Sequence, residues 1–410
     1  MKKTLLESLN RDQQKALLAT DGPILILAGA GSGKTRVLTH KVAYLMVEKG
    51  VEGQEILMVT FTNKAATEMK ERIHNLLVTY EDKKSFVLPF AGTFHSLCAK
   101  ILRIDGKNIG IPSNYVIYDD GDTKEVIKEI MKQKNISTKN FNPSSVAATI
   151  SQVKNELISP LEYPQYARGY FQETVAEIYI DYQKILKDNS ALDFDDLLGE
   201  TIRLFNKDRD TLSKYQEKYH YVLVDEYQDT NHAQYMLTKL LSARFRNITV
   251  VGDASQSIYA WRGANYRNIL NFERDFPEVQ VFNLEQNYRS TQKILDAAFS
   301  IISKNSSHPI LKLWTENSAG EHITLYEARD EQDEASYIIK EISANNLQYS
   351  QVAVLYRTNA QSRVIEEVFL HHGIPYVLVG GVRFYDRKEI KDVISYLRIL
   401  SNPKDMISKK

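Results

Sequence analysis

A glycine-rich segment, AGAGSGKT at positions 28–35, contains the residues best suited to chemistry. Backbone N–H groups of such a loop converge on phosphate oxygens, and a following helix N-terminus adds the positive end of its dipole. Lys34 would then reach the β- and γ-phosphates of a nucleotide, and the Thr35 hydroxyl would be a ligand of Mg²⁺. The predicted phosphate-binding residues are Ala28, Gly29, Ala30, Gly31, Ser32, Gly33, Lys34 and Thr35.

The usual pattern for this loop has glycine where the chain has Ala28. A glycine-rich turn followed by an unrelated Lys-Thr pair is therefore an alternative interpretation. The flanking sequence favours the nucleotide site, because an apolar run, PILIL, precedes the loop and an amphipathic run, TRVLTHKVAYLM, follows it. These runs predict a strand before the loop and a helix after it.

A second segment, YVLVDEYQDT, supplies the carboxylates that a nucleotide site requires. Its apolar run predicts a buried strand with Asp225 and Glu226 at the carboxyl end, where doubly wound sheets bind their ligands. Asp225 would hold Mg²⁺, directly or through water, and Glu226 would orient and deprotonate the attacking water. Two solvated loop charges are the alternative, which the preceding phosphate loop disfavours.

Composition limits the class of protein. The chain has 410 residues, enough for about two to four domains. Its 52 Lys and Arg balance 52 Asp and Glu, which argues against a uniformly basic surface but allows a local basic groove for nucleic acid. A single cysteine, Cys98, excludes an internal disulfide and indicates a buried thiol in a reducing cytoplasm. No signal peptide or membrane span is predicted.

The segments that would position these residues alternate between strand-like and helical patterns over residues 22–105 and again from residue 192. Residues 107–190 are mostly helical in pattern, so we predict one parallel sheet interrupted by a helical insertion. A further α/β segment follows, with HITLYEA and QVAVLYR as predicted strands, before a final helix and polar tail. The acidic LDFDDLL predicts a helix start with acids in its first turn.

Further motifs narrow the class of nucleotide-using protein. A GTPase would require N-K-x-D, and TNKAA at 62–66 lacks the aspartate. A small-molecule kinase or another ATPase would not require the other motifs, which are TFTNKAATEMKERI, GTFHSLCAKILR, VVGDASQSIYAWRGA, LEQNYRS and LYRTNAQSR. With the two phosphate-site motifs, and in this order along nearly the whole chain, they resemble the superfamily 1A DNA helicases of the UvrD/Rep/PcrA family.

The resemblance implies an α/β fold: a P-loop NTPase with a RecA-like parallel sheet and a helical insertion, followed by a partial second RecA-like domain. The implied domains are a first ATPase core at 1–106 and 192–280, the insertion at 107–191, the partial second core at 281–382 and the start of a second insertion at 383–410. Later motifs of the family are absent from the sequence, so we expect a chain truncated at its C-terminus.

The resemblance also assigns residues to an ATP site. Gln13 corresponds to the glutamine that hydrogen-bonds adenine, and Arg36 and Tyr288 to the pair that sandwiches the ring. Gln256 corresponds to a γ-phosphate sensor, and Arg289 to an arginine that reaches the γ-phosphate from the second core domain. The catalytic residues so predicted are Lys34, Asp225, Glu226, Gln256 and Arg289, with Thr35 and Asp225 as metal ligands.

Aromatic residues define the implied DNA site, since every base has a face on which a ring can stack. Phe61, Tyr259 and Trp261 correspond to these family positions, and a place in the apolar core is the alternative for Phe61 and Trp261. Polar residues would contact the strand without reading its sequence. They are Thr62, Asn63, Thr93, His95, Arg262, Arg357, Thr358 and Asn359. A structural hydrogen bond is the alternative for His95.

The implied activity is that of an ATP-dependent 3′→5′ DNA helicase and single-stranded-DNA-dependent translocase in repair and replication. ATP and Mg²⁺ would be its cofactors, and single-stranded DNA, its junctions with duplex, and repair or transcription proteins its partners. We expect a cytoplasmic monomer without membrane contact. The alternative is a fragment that holds ATP and DNA, or a partner, without productive unwinding. Ser255 and Asn265 stand where relatives carry acids, so a modest change in Mg²⁺ or DNA coupling is expected.

Overall fold

The computed structural model describes residues 2–80, 86–379, 388–402 and Asp405. It divides into two compact units, one formed by Met1–Gly320 with Ser395–Lys410 and the other by Glu321–Ile394. The domain boundaries expected from the sequence divide the chain at other positions and stay predictions.

A parallel sheet forms the centre of the first unit. The strands of this unit are β1 (Ile24–Ala28), β2 (Ile56–Thr60), β3 (Phe90–Thr93), β4 (Val116–Tyr118), β5 (Ala191–Asp193), β6 (Tyr221–Val224), β7 (Asn247–Gly252) and β8 (Gln280–Leu284). Six of them form one sheet in the order β3-β2-β6-β7-β1-β8, and all of its described pairings are parallel. The predicted α/β fold with a parallel sheet is therefore confirmed.

Helices cover both faces of this sheet. The described helices of the first unit are α1 (Lys2–Glu7), α2 (Arg11–Leu18), α3 (Lys34–Glu48), α4 (Asn63–Tyr80), α5 (Phe94–Asp105), α6 (Asp120–Gln133), α7 (Pro143–Asn155), α8 (Tyr170–Asp188), α9 (Phe194–Lys207), α10 (Arg209–Lys218), α11 (His232–Ser242), α12 (Arg267–Asp275) and α13 (Gln292–Ile302). Leu25 belongs to the apolar core shared with α5, α9 and α11, whereas Ile24 and Ile26 belong to the core shared with α3 and α4. Because alternate side chains of β1 enter different cores, this strand is apolar on both faces.

The helices α6, α7 and α8 enclose an apolar core of their own. The short strands β4 and β5 pair in parallel beside it, although the sequence indicated few strands here, since three residues are too short to show a period. The predicted acidic helix start is confirmed, because Asp193 caps α9 and Asp196 lies in its first turn. Cys98 is buried as expected, and burial raises the pKa of its thiol to about 12.

The second unit contains α14 (Glu331–Ala344), α15 (Asn359–His371) and the first part of α16 (Lys388–Ser401). The prediction of strands at HITLYEA and QVAVLYR was wrong, because neither segment forms a strand in the described part of this unit. A strand requires a hydrogen-bonded neighbour. Leu325 and Leu355, which an apolar pattern would place in a core, are 95% and 93% exposed. The predicted final helix is confirmed as α16.

Candidate nucleotide and DNA site

The phosphate loop connects β1 to α3 as the sequence predicted. Ala28 is the last residue of β1 and is fully buried, so the position of the missing glycine has ordinary strand geometry and accepts a Cβ. Gly31 and Gly33 have φ angles of +68° and +88°, which glycine adopts without strain. These two residues, and not residue 28, require glycine for conformational reasons.

Lys34 begins α3 and is the buried cation of the site. Its Nζ lies 3.1 Å from Oε1 of Gln256 and 3.6 Å from Oε2 of Glu226. Nε2 of Gln256 in turn donates to Oδ2 of Asp253 at 2.7 Å. The ends of β1, β6 and β7 therefore bring the predicted lysine, acid and γ-phosphate sensor together, as parallel strands do at their carboxyl edge.

Asp225 and Thr35, the two predicted metal ligands, are in direct contact. The Thr35 hydroxyl donates to Oδ2 of Asp225 at 3.1 Å. Burial, and then the charge of Glu226, raise the pKa of Asp225 to about 7, against the opposing effects of Lys34 and Thr35. A buried carboxylate beside a hydroxyl is a hard oxygen pair of the kind that Mg²⁺ prefers, so the donor set fits that ion.

Glu226 has an unusual backbone conformation for a residue with a side chain, with φ at +50°. Such geometry costs free energy and is found where surrounding structure fixes it, often at functional sites. The carboxylate accepts a hydrogen bond from Nε2 of Gln228 at 2.8 Å, and Oε1 of Gln228 accepts the N–H of Asp253 at 3.0 Å. Gln228 is a residue that the sequence analysis missed, although it lies within the DEYQDT motif, and it joins the turn after β6 to the end of β7.

The amide of Gln13 is engaged by main chain on both sides. Its Nε2 donates to the Ser32 carbonyl at 2.9 Å, and its Oε1 accepts the N–H of Asn10 at 3.0 Å. The side chain is only 2% exposed. Gln13 thus fixes the start of α2 to the phosphate loop, and its contact with adenine stays a prediction.

The other predicted adenine residues lie around the same helix start. Arg36 donates to the Ser8 carbonyl at 2.7 Å, and the Tyr288 hydroxyl accepts a hydrogen bond from Nδ2 of Asn10 at 2.7 Å. Arg289 is exposed, and its backbone N–H donates to Oδ1 of Asn287. The structure brings these residues to the loop, while the stacking role of Arg36 and Tyr288 and the catalytic role of Arg289 stay predictions.

Three aromatic rings form a row beyond the ends of β2 and β7. The Phe61 and Tyr259 rings stack with centroids 5.0 Å apart and planes at 28°, and Trp261 lies 6.4 Å from Tyr259. Trp261 is 73% exposed, so the core alternative is excluded for it. Phe61 and Tyr259 are half-buried. A row of rings with an exposed end at the ligand edge of a sheet has the form of a base-stacking surface.

The predicted polar DNA residues of the first unit lie at helix starts beside this row. The Thr62 hydroxyl accepts the N–H of Ala65 at the start of α4, which begins at Asn63. Thr93 caps α5. His95 makes an edge contact with the Phe194 ring at 5.7 Å, and burial lowers its pKa.

For the remaining predicted DNA residues, the structure describes main-chain positions and contacts. The Arg262 side chain lies outside the described residues. In the second unit, the N–H groups of Arg357 and Thr358 donate to Oε1 of Gln361, and Asn359 begins α15. The site roles of these residues stay predictions.

Ser255 and Asn265, for which the family resemblance implied acids, both make hydrogen bonds through their main-chain N–H groups. The N–H of Ser255 donates to Oδ1 of Asp253, and the N–H of Asn265 donates to the Thr230 carbonyl. Both contacts use main chain and are therefore compatible with a change of side chain.

Comparison with known proteins agrees with this arrangement. Residues 9–277 match the UvrD/REP helicase N-terminal domain, and residues 282–410 match the UvrD-like helicase C-terminal domain. The chain belongs to the UvrD/REP helicase family, as its motifs predicted. Proteins named ATP-dependent DNA helicase PcrA from Staphylococcus epidermidis and Staphylococcus aureus are each 52% identical to it over 407 residues. The match covers 98% of this chain and 55% of each relative, so the chain spans about half their length.

A search of the described helices for a membrane-crossing segment finds none with the necessary length and apolar character.

Proposed function

We propose that the chain is the ATP- and DNA-binding part of a 3′→5′ DNA helicase that moves along single-stranded DNA. One observation carries the proposal: the side chains of the nucleotide site converge at the same sheet edge as the aromatic row, whose Trp261 ring is exposed. These side chains are Lys34, Asp225, Glu226 and Gln256. Because the ATP site and the base-stacking surface would lie on the same strand ends, ATP hydrolysis at one could move DNA across the other. The 3′→5′ direction rests on the resemblance of the motifs to the family alone.

On the nucleotide side, each role follows from position and charge. Lys34 would neutralise the β- and γ-phosphates, and Glu226 would orient and deprotonate water. Gln256, which touches Lys34, would detect the γ-phosphate. Bound Mg²⁺, held through Thr35 and Asp225, would neutralise phosphate charge.

On the DNA side, the row formed by Phe61, Tyr259 and Trp261 would stack on successive bases. Stacking of this kind accepts any sequence, as a motor moving along DNA requires. Single-stranded DNA and its junctions with duplex are the proposed substrates. We further propose that the protein acts in DNA repair and replication, as a cytoplasmic monomer in contact with repair or transcription proteins. The domain boundaries stated from the sequence are part of the proposal.

Steady-state ATP hydrolysis with and without a single-stranded oligonucleotide tests the proposal, with Lys34→Ala as the control. We expect DNA to stimulate hydrolysis and the control to abolish it. Binding of both ligands without stimulation would favour the alternative of a protein that holds ATP and DNA without productive unwinding. A rate of ATP hydrolysis that is the same with and without the oligonucleotide, in a chain that does not bind DNA, would indicate an ATPase without a DNA role. Tailed duplexes with 3′ or 5′ single strands test the direction of movement.

A further inference from the structure

Asn287 directly precedes two predicted ATP residues, Tyr288 and Arg289, and its side chain contacts the phosphate loop. It is 1% exposed. Its Nδ2 donates to the Ala30 carbonyl at 2.6 Å. Its Oδ1 accepts the N–H groups of Arg289 and Ser290 at 2.8 and 2.7 Å. One amide therefore joins the phosphate loop to the turn that carries both residues.

Two parts of the chain, the turn at Asn287 and the segment at Leu313, approach the phosphate loop closely. The N–H of Tyr288 donates to the Gly31 carbonyl at 2.9 Å. A Cβ on Gly31 would lie 2.7 Å from Nδ2 of Asn287, and a Cβ on Gly29 would lie 2.2 Å from Cδ2 of Leu313. Both distances are too short for a real Cβ, so glycine at these positions lets the neighbouring side chains approach the loop.

Hydrogen bonds to the loop carbonyls determine where its N–H groups point. A peptide unit is planar and trans, so its C=O and N–H point in opposite directions. Because Nδ2 of Asn287 holds the Ala30 carbonyl, the N–H of Gly31 is turned to the other side of the loop. A phosphate loop works by aiming such N–H groups at its ligand, and a rotated Ala30 peptide would direct a carbonyl oxygen there instead.

We propose that Asn287 is a positioning residue of the nucleotide site: its Nδ2 orients the phosphate loop, and its Oδ1 fixes the turn of Tyr288 and Arg289. This inference rests on the proposed ATP site and adds a residue to it. Asn287 acts through the loop and the turn, so it is not a catalytic residue.

Asn287→Asp separates the two halves of this role. The new side chain keeps an oxygen for the N–H groups of Arg289 and Ser290 but presents an acceptor to the Ala30 carbonyl. We expect Mg²⁺ and N-methylanthraniloyl-ATP to bind the 410-residue variant about tenfold more weakly than the unmodified chain at pH 8. Burial and the facing Ala30 carbonyl raise the pKa of this carboxyl, whereas the N–H groups of Arg289 and Ser290 lower it. Where a fall in pH protonates the carboxyl, a donor is restored and the ratio of the two dissociation constants should move towards one.

The matched control is Asn268→Asp. Asn268 is also buried, and its Nδ2 donates to a main-chain carbonyl, that of Thr230 at 2.9 Å. This variant should lose stability without a pH-dependent loss of nucleotide binding relative to the unmodified chain. An equal effect of the two aspartate variants on the binding ratio would overturn the proposal.

Asn287→Ser provides a second variant if the aspartate variant does not fold, which circular dichroism would show. Serine keeps a hydroxyl near the turn but cannot reach the Ala30 carbonyl, so binding should weaken at pH 8 and stay weak at pH 6. Unchanged nucleotide binding in either folded variant at pH 8 would overturn the role of the Nδ2 donor. Failure of the unmodified chain to bind the nucleotide would instead refute the proposed ATP site.

Discussion

Two buried lysines of the first unit lie among carboxylates, and the sequence assigned chemistry to one of them only. Lys34 lies 3.6 Å from Glu226, whose side chain is 35% exposed. Lys154 of α7 lies 2.6 and 2.7 Å from Asp193 and Asp196, and both of these carboxylates are buried. The first lysine is in loose contact with its acid, whereas the second is tightly paired.

Burial opposes the charged forms in both clusters, and the clusters differ in how far neighbouring charges outweigh it. Burial alone would lower the pKa of Lys154, but Asp193 and Asp196 outweigh it and hold that pKa above the usual value. At the sheet edge, burial and Glu226 raise the pKa of Asp225 to about 7, and Lys34 does not outweigh them. We infer a rule from the lysines alone, because burial and Asp193 raise the pKa of Asp196 to about 7 as well. The lysine of a structural cluster is closely paired by its carboxylates, whereas the lysine of a ligand site leaves room for the charges of its ligand.

The largest expected effect on stability comes from Lys154→Met. Removing the cation leaves two buried carboxylates without their partner, which costs about 3–5 kcal/mol of unfolding free energy. Urea unfolding followed by circular dichroism measures this change. Nucleotide binding by the folded fraction should be unchanged.

Lys34→Met is the matched substitution at the other cluster. Because Glu226 is partly solvated, the unfolding free energy of the Lys34→Met variant should differ from that of the unmodified chain by about 1 kcal/mol or less. ATP hydrolysis should be lost. Equal destabilisation by the two methionine variants would remove the distinction between the clusters.

An effect on stability smaller than that of Lys154→Met, with a defined pH dependence, is expected for Asp225→Asn in metal-free buffer. The folded-state pKa of Asp225, about 7, exceeds the unfolded value of about 3.9, so the folded chain binds the extra proton between them. Stability therefore falls as the pH rises from about 4 to 7, and asparagine removes this loss. The variant should be more stable by about 2–4 kcal/mol at pH 8 and by nothing at pH 4.

Thermal or urea unfolding at several pH values checks this prediction. Asp12→Asn, in an exposed side chain, is the control and should show no such dependence. Asp193, whose pKa Lys154 lowers although burial alone would raise it, should behave in the opposite way. The stability it contributes is present above the unfolded pKa and is lost as the pH falls through the folded one. The same sign at both aspartates would contradict the comparison.

The sequence predicted the Lys34 cluster better than the Lys154 cluster, for a physical reason. Lys34, Asp225 and Gln256 follow strand ends, and parallel strands bring their carboxyl ends together once the sheet is recognised. The contact between Lys154 and Asp193 depends on how α7 packs against the start of α9, which no local pattern encodes. The contact of Asn287 with Ala30 spans 257 positions and depends on the sheet in the same way. Local periodicity also failed in the second unit, where apolar alternation at HITLYEA predicted a strand without a neighbour to pair with.

The smallest effect on stability is expected in the aromatic row, which extends the comparison to DNA. Trp261 is 73% exposed, so Trp261→Ala should change the unfolding free energy by about 0.5 kcal/mol or less. Loss of one base–ring contact should weaken single-stranded DNA binding by about 1–3 kcal/mol. Fluorescence anisotropy with a labelled oligonucleotide at fixed salt concentration measures this, because phosphate contacts vary strongly with salt.

Trp314→Ala is the matched control, since it removes the same side chain from a residue that is 46% exposed and lies outside the row. It should leave DNA affinity within about twofold, less than one stacking contact contributes. If both alanine variants weakened DNA binding equally, exposure of a ring would not identify the stacking surface. If only Trp261→Ala weakens it and neither variant loses stability, the aromatic row follows the same rule as Lys34: the side chain keeps for its ligand the surface that a structural residue would bury.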